Sequence, residues 1–210
     1  MELDRQEAGS MSEVTDLKER RFYPAVDAIE ELLRDPEEEI LMVAIDGKCG
    51  SGKTRLAEFL SGKLDANVFH MDDFFPRPEQ RTEERMQEIG GNVDYERFRE
   101  EVLIPLFYGD PVVYRPFRCN IMGFRPEDEI TIPPKRLNII EGSYSQHPYF
   151  GNPYQLRIFM DIDEETRRQH ILVRSGEEKL QDFIDKWIPR EDAYFERYKI
   201  KEKSDLVISW

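Results

Sequence analysis

Ile40-Leu41-Met42-Val43-Ala44-Ile45-Asp46-Gly47-Lys48-Cys49-Gly50-Ser51-Gly52-Lys53-Thr54 is the stretch that decides the fold. Residues 40–45 are apolar without interruption, which reads as a strand buried on both faces of a parallel sheet. Residues 47–53 follow as a glycine-rich turn. Residues 54–64 then read as a helix with Leu56, Phe59, Leu60 and Leu64 on one side. Glycines let successive backbone N–H groups turn inward around an anion. A helix beginning there directs its positive end at the same point.

The sequence works outward from this unit as alternating strands and helices. Residues 12–34 carry Val14, Leu17, Phe22, Val26, Ile29 and Leu33 at helical spacing, and Asp35-Pro36 ends the pattern. Residues 1–11 read as a loose leader. After the turn, residues 66–71 form a short strand ending in Asp72-Asp73, and residues 76–91 are polar and arginine-rich. Residues 94–108 read as a helix that Pro105 must bend or break. A hairpin is expected from residues 112–116 to 129–132. Further strands fall at 136–140, 156–161 and 205–209. Further helices fall at 164–173 and 181–199, the second broken at Pro189. This alternation predicts an α/β protein with a parallel central sheet and helices on both faces. Residues 12–210 then make a single domain, with an insertion at about 76–136 and a lid at about 167–182.

Composition narrows the function. The chain has 210 residues and a formal net charge of −14. Residues 1–40 hold 13 Asp and Glu against 5 Lys and Arg, so over half of the excess sits there. Such a chain is a poor general binder of nucleic acid or anionic membrane. The two cysteines, Cys49 and Cys119, have no zinc or disulfide spacing. No segment approaches a membrane span or a secretory signal. A reducing cytoplasm is the expected location.

The turn specifies the ligand. Residues 47–54 fill every required position of a Walker A phosphate loop. Lys53 supplies a charge for the β and γ phosphates, and the Thr54 hydroxyl can ligate Mg²⁺. Gly47, Lys48, Cys49, Gly50, Ser51, Gly52, Lys53, Thr54 and Arg55 are therefore the expected ATP-binding residues, within a three-layer P-loop NTPase fold. Two other strands end in acids: Asp72 and Asp73 on one, Glu141 on the other. In an open parallel sheet the carboxyl ends of the strands face the ligand. One acid there can accept a proton from an attacking hydroxyl and another can support Mg²⁺.

Taken together, Asp46-Gly47, Met71-Asp72-Asp73-Phe74-Phe75, Asn92-Val93-Asp94 with Phe98, Pro111-Val112-Val113-Tyr114 and Ile140-Glu141-Gly142 resemble the uridine kinase and phosphoribulokinase family. The resemblance runs from Ile40 to the C-terminus. It implies Asp72 as catalytic base, Asp94 as partner of the substrate's sugar hydroxyls, and Tyr114 and Arg115 as lining of the acceptor pocket. It also implies Glu141 as support for Mg²⁺ and Arg174 as a lid arginine embracing the ATP phosphates, with Arg167 and Arg168 as weaker counterparts. The segments at 115–119 and 142–148 and the helix before the first strand depart from the best-known uridine kinases.

The expected reaction transfers the γ-phosphate of ATP to a hydroxyl of a small molecule. Lys53, Asp72 and Arg174 are its catalytic residues, Thr54 and Glu141 hold the metal, and Asp72, Asp94, Tyr114, Arg115 and Arg118 meet the acceptor. A nucleoside such as uridine or cytidine is the favoured acceptor, with another small alcohol or a sugar phosphate second. A homo-oligomer is left open, and a nucleotide-binding regulator without an acceptor is the reading from another class. Two readings stand for each of several further residues. Arg77, Arg81 and Arg85 form either a solvated face or a site for a substrate anion; Arg115, Arg118 and Arg125 either pair with neighbouring acids or meet an anionic acceptor. His70 is expected to be structural, His147 either caps its turn or touches substrate, and His170 is expected to face solvent. Phe183, Trp187 and Tyr194 are expected to pack internally. Phe74, Phe75, Tyr95 and Tyr114 either pack or sandwich a ring. A helix N-terminus can lower the pKa of the Cys49 thiol.

Overall fold

The computed structural model describes residues 19–210. The leader at 1–11, and the first part of the expected helix with Val14 and Leu17, lie outside the described residues. The strands are β1 (Leu41–Gly47), β2 (Ala66–His70), β3 (Val112–Tyr114), β4 (Ile130–Ile132), β5 (Leu137–Glu141), β6 (Leu156–Asp161) and β7 (Leu206–Ser209). The helices are α1 (Tyr23–Leu33), α2 (Lys53–Lys63), α3 (Glu83–Gln87), α4 (Tyr95–Phe98), α5 (Ile104–Tyr108), α6 (Glu164–Ser175), α7 (Glu177–Asp182), α8 (Ile188–Tyr198) and α9 (Ile200–Lys203).

Five strands form one parallel sheet in the order β2-β5-β1-β6-β7. The apolar run that opens the deciding stretch is its centre: all seven residues of β1 are buried. Alternate side chains of a strand leave opposite faces, and here they enter two separate cores. Leu41, Val43 and Ile45 join Phe22 and Ile29 from the α1 side and Leu56 and Leu60 of α2. Met42 and Ala44 join Phe98, Val102, Tyr194 and Phe195 on the other face. Helices on both faces of a parallel sheet make the three layers that the strand–helix alternation predicted. The short antiparallel pair β3–β4 stands apart from the sheet, where the hairpin was expected.

Pro105, expected to bend or break its helix, and Pro189, expected to break its own, are both absorbed into continuous helical chain. α4 continues into α5 through a π turn at Arg99–Leu103, and α7 continues into α8 through another at Phe183–Trp187. In each case Ile precedes the proline, as Ile104-Pro105 and Ile188-Pro189. Proline removes an N–H and crowds the preceding turn. The chain widens by one residue: Ile104 N–H bonds Arg99 C=O and Ile188 N–H bonds Phe183 C=O. π turns of this kind are local insertions in otherwise α-helical chain.

β1, β5 and β2 end side by side at their carboxyl edge, with Ile45 paired to Glu141 and Glu141 to His70. That edge carries the phosphate loop, Glu141 and Asp72. No helix among the described residues is long and apolar enough to cross a membrane.

Candidate active site

A cavity of about 790 Å³ opens at this edge. The phosphate loop forms its floor, with Gly50, Gly52, Lys53 and Thr54 among the lining residues. Gly47 must be glycine for two reasons. Its φ is +139°, and a Cβ there would come within 2.2 Å of the Met160 carbonyl oxygen. Gly52 begins α2 at φ +91°, where a Cβ would meet the Trp210 ring at 2.8 Å. The Lys53 ammonium lies inside the loop, donating to the carbonyls of Gly47 at 2.7 Å and Lys48 at 3.0 Å. Arg55 turns away from the cavity to Glu19, 3.5 Å distant.

Thr54 and Glu141 meet at the start of α2. Thr54 Oγ1 donates to Glu141 Oε1 at 3.2 Å. His70 Nδ1 lies 2.5 Å from the same oxygen, and this hydrogen bond raises the imidazole pKa. Two adjacent oxygens beside a phosphate loop suit Mg²⁺, which takes few protein ligands and fills its shell with phosphate and water. Asp72 lines the same cavity. Its carboxylate is open to the cavity, yet the walls displace enough water to push its pKa above the ordinary value. Lys53 opposes that shift and Glu141 reinforces it.

Beside the loop lies a buried network, reaching the cavity through Ser143 and Glu191, that the sequence did not announce. Glu191 of α8 accepts from Cys49 N–H at 2.9 Å, from Ser143 Oγ at 2.6 Å and from Arg167 Nη2 at 2.7 Å. Burial alone would raise its pKa, but Lys53, Ser143 and Arg167 outweigh that and hold it below the ordinary carboxylate value. Arg167 is fully buried and also pairs with Glu164 and Asp192. It therefore braces the loop from behind, and it is Arg174 that lines the cavity. Burial, with Glu191 close by, pushes the Cys49 thiol up to about 12, so the expected lowering by the helix N-terminus does not occur. Asp46, also fully buried, accepts from Gly47 N–H at 2.7 Å, Gln146 N–H at 3.0 Å and Tyr194 Oη at 2.8 Å. Burial raises it to about 6 against the pull of these donors.

The acceptor-side residues are distributed differently from the expectation. Asp94 is fully buried: it caps α4 by accepting from Arg97 N–H at 3.1 Å and also accepts from Gln80 Nε2 at 3.0 Å. Tyr114 is buried and donates to Asp73 at 3.0 Å. Arg115 pairs with Glu129 and Arg118 with Asp128, both at 2.6 Å. None of these four lines the cavity. Of the aromatics weighed as a ring sandwich, only Phe75 lines it; Phe74 and Tyr114 pack together at 5.1 Å and Tyr95 stacks on His147 at 4.5 Å. Phe183 and Trp187 line the cavity, Phe183 also packing against the cluster of Cys49, Ile171 and Ile188, while Tyr194 is fully buried in the main core. His170 does not face solvent: it reaches Gly50 C=O at 2.8 Å and lines the cavity. His147 is buried, with its pKa lowered to about 4 by desolvation, and Nδ1 accepts from Tyr149 N–H. Tyr144, at φ +75°, and Asn92 complete the wall. The sequence carries a signal for the loop residues but none for Glu191, which sits 142 residues from the N–H it holds.

No family model matches the chain. A curated relative, uridine-cytidine kinase C of Dictyostelium discoideum, is 23% identical over 186 residues, covering 85% of this chain and 41% of that protein. The chain thus spans about two fifths of the length of that relative. A possible uridine kinase from Bacillus stearothermophilus superposes with a TM-score of 0.67 at 20% identity, covering 92% of this chain and 99% of the other. A protein assigned as a fructose transport system kinase, from Silicibacter sp. TM1040, superposes at 0.66 with 20% identity, covering 90% and 98%. The resemblance read from the motifs therefore holds at the level of the fold and of one distant curated relative: the chain has the fold of the uridine kinase-like P-loop kinases.

Proposed function

We propose that this protein transfers the γ-phosphate of Mg²⁺-bound ATP to a hydroxyl of a small molecule. The observation that carries the reading is the juxtaposition of a complete phosphate loop with Asp72, across one cavity large enough for both reactants. The loop N–H groups and Lys53 bind the phosphates. Asp72 accepts the proton as the acceptor oxygen bonds to the γ-phosphorus. The bond from that phosphorus to the β–γ bridging oxygen breaks, and ADP leaves with the electron pair. Thr54 and Glu141 would hold Mg²⁺, which supplies neutralisation of phosphate charge. Arg174 faces the phosphates as charge spreads over them. Little covalent chemistry falls to the protein, so the rate rests on positioning and fixed charge.

Uridine and cytidine are the first acceptors to test, because the curated relative is a uridine-cytidine kinase. The experiment incubates the protein with Mg·ATP and single alcohols and follows phosphorylated product by mass spectrometry. The expected result is one product, absent with Asp72→Asn. ATP turnover with no phosphorylated alcohol from any class would overturn the reading.

A further inference from the structure

Glu141 is a buried acid with two strand neighbours, and only one of them can hold it. In the parallel sheet its Cα pairs with Ile45 of β1 on one side and with His70 of β2 on the other. Ile45 has no polar side-chain atom. His70 has two, and its Nδ1 lies 2.5 Å from Glu141 Oε1. A carboxylate only accepts, so Nδ1 carries the hydrogen of this bond. The strand register decides the contact, because residues side by side in a pleated sheet send their side chains to the same face.

Thr54 meets the same carboxylate oxygen from the phosphate loop. Its hydroxyl donates to Glu141 Oε1 at 3.2 Å. A hydroxyl has one hydrogen and two lone pairs. With the hydrogen spent on Glu141, the lone pairs of Thr54 Oγ1 are what remain for a cation, and Thr54 lines the cavity. Of the two bonds to Oε1, that from His70 is the shorter. It anchors the carboxylate, and the direction of the Thr54 hydroxyl follows from where the anchor holds it. His70 is not on the cavity wall, and its side chain is 40% exposed. Asp72 and Asp73 lie near enough to act on its charge, but among the described residues its ring hydrogen-bonds Glu141 alone. His70 therefore reaches a bound ligand through Glu141.

We infer that His70 is a positioning residue for the metal: it holds the Glu141 carboxylate where that group turns the Thr54 lone pairs toward Mg²⁺. This inference rests on the reading above, in which Thr54 and Glu141 hold the metal. Groups that orient a metal's ligands in this way are worth roughly tenfold to a hundredfold in metal affinity.

The test measures binding and needs no acceptor. The protein, in excess over a non-hydrolysable ATP analogue, is titrated with Mn²⁺ as the probe, and free Mn²⁺ is read by electron paramagnetic resonance. His70→Leu removes the donor and should weaken Mn²⁺ binding by about tenfold to a hundredfold. Binding of the analogue without metal should not change. His70→Asn, whose amide nitrogen stands where Nδ1 does, should keep most of the affinity. Adding His70→Leu to Glu141→Gln should weaken binding no further than Glu141→Gln alone, because His70 acts through that side chain. Unchanged Mn²⁺ affinity in His70→Leu overturns the inference. So does an equal loss of metal-free analogue binding, which would mark general damage to the loop. Additive losses in the double variant, or a His70→Asn as weak as His70→Leu, also overturn it. Should His70→Leu not fold, His70→Asn against His70→Gln carries the same comparison, since the Gln nitrogen stands at the place of Nε2 and misses Glu141. No Mn²⁺ uptake by the unaltered protein removes the metal from Thr54 and Glu141, and this inference with it. Mn²⁺ uptake that depends on His70, in a protein that phosphorylates no alcohol, upholds the inference and overturns the kinase reading alone.

Discussion

The floor of the cavity and the neighbouring segment expected to meet the acceptor commit their polar groups in opposite ways. On the floor the loop is braced by buried side chains: Glu191, which also reaches the cavity, and Arg167 hold Cys49, and Asp46 gathers donors from three segments. The lysine and hydroxyl proposed to meet the ligand are left with light attachments, Lys53 to two carbonyls and Thr54 to Glu141. On the acceptor side the polar residues brace one another, through Asp94 with Gln80 and Arg77, Tyr114 with Asp73, and two surface ion pairs. A phosphate site is made mostly of backbone, so its side chains can be spared for support. An acceptor site must be made of side chains, and these also have to order a segment with little regular structure. What separates the two is how many of the conspicuous residues remain free for a ligand.

Breaking the floor, or the Asp72 carboxylate across from it, gives the largest effects. Lys53→Ala and Asp72→Asn should each lower kcat/KM by about a hundredfold or more, as removal of preorganised charge or of a positioned base does. Steady-state kinetics with the identified acceptor checks this, and losses under tenfold would remove these two residues from the chemistry. The same assay carries a pH signature. Asp72 has its pKa raised above 3.8, mainly by desolvation. As a base it works ionised, so kcat/KM should fall as pH drops through a value higher than that of an ordinary aspartate.

Next comes the brace. Arg167→Ala strands the Glu191 carboxylate in the interior, and breaking a buried pair from one side costs about 3–5 kcal/mol. Thermal or denaturant unfolding reads the loss. A change under about 1 kcal/mol, the range of an exposed pair, would mean that the network does not support the loop.

On the acceptor side the effects should shrink and change kind. Asp94→Ala removes a helix cap and should cost about 0.5–2 kcal/mol of stability, with the acceptor KM little altered. A large rise in acceptor KM at unchanged stability would restore the hydroxyl-binding role that the family resemblance implied. Arg115→Ala and Arg118→Ala break exposed ion pairs and should each change stability by less than about 1 kcal/mol. Activity should stay within about twofold, because neither residue lines the cavity.

These contrasts also measure what the sequence could tell. Residues 40–54 were readable because backbone geometry writes itself locally: an apolar run, glycines at fixed spacing, then a lysine and a threonine. The strands at β5 and β6 were readable for the same reason, being short, mostly apolar and largely buried. The two π turns were not, since Pro105 and Pro189 announce only a perturbation and tertiary packing decides between a break and a bulge. The acceptor site was least readable. Asp94, Tyr114, Arg115 and Arg118 have the right chemistry, but whether a carboxylate or guanidinium is spent on a neighbour depends on contacts up to 41 residues away, as between Tyr114 and Asp73. Glu191 shows the converse, a residue without local signal that organises the floor.

One measurement tests the central claim most directly. Mg·ATP labelled in its γ-phosphate is incubated with the protein and each alcohol in turn, and the label is followed by mass spectrometry. The account predicts label in a phosphorylated alcohol, formed in step with ADP and abolished by Asp72→Asn. Label appearing only in inorganic phosphate, at a rate no alcohol changes, would contradict it.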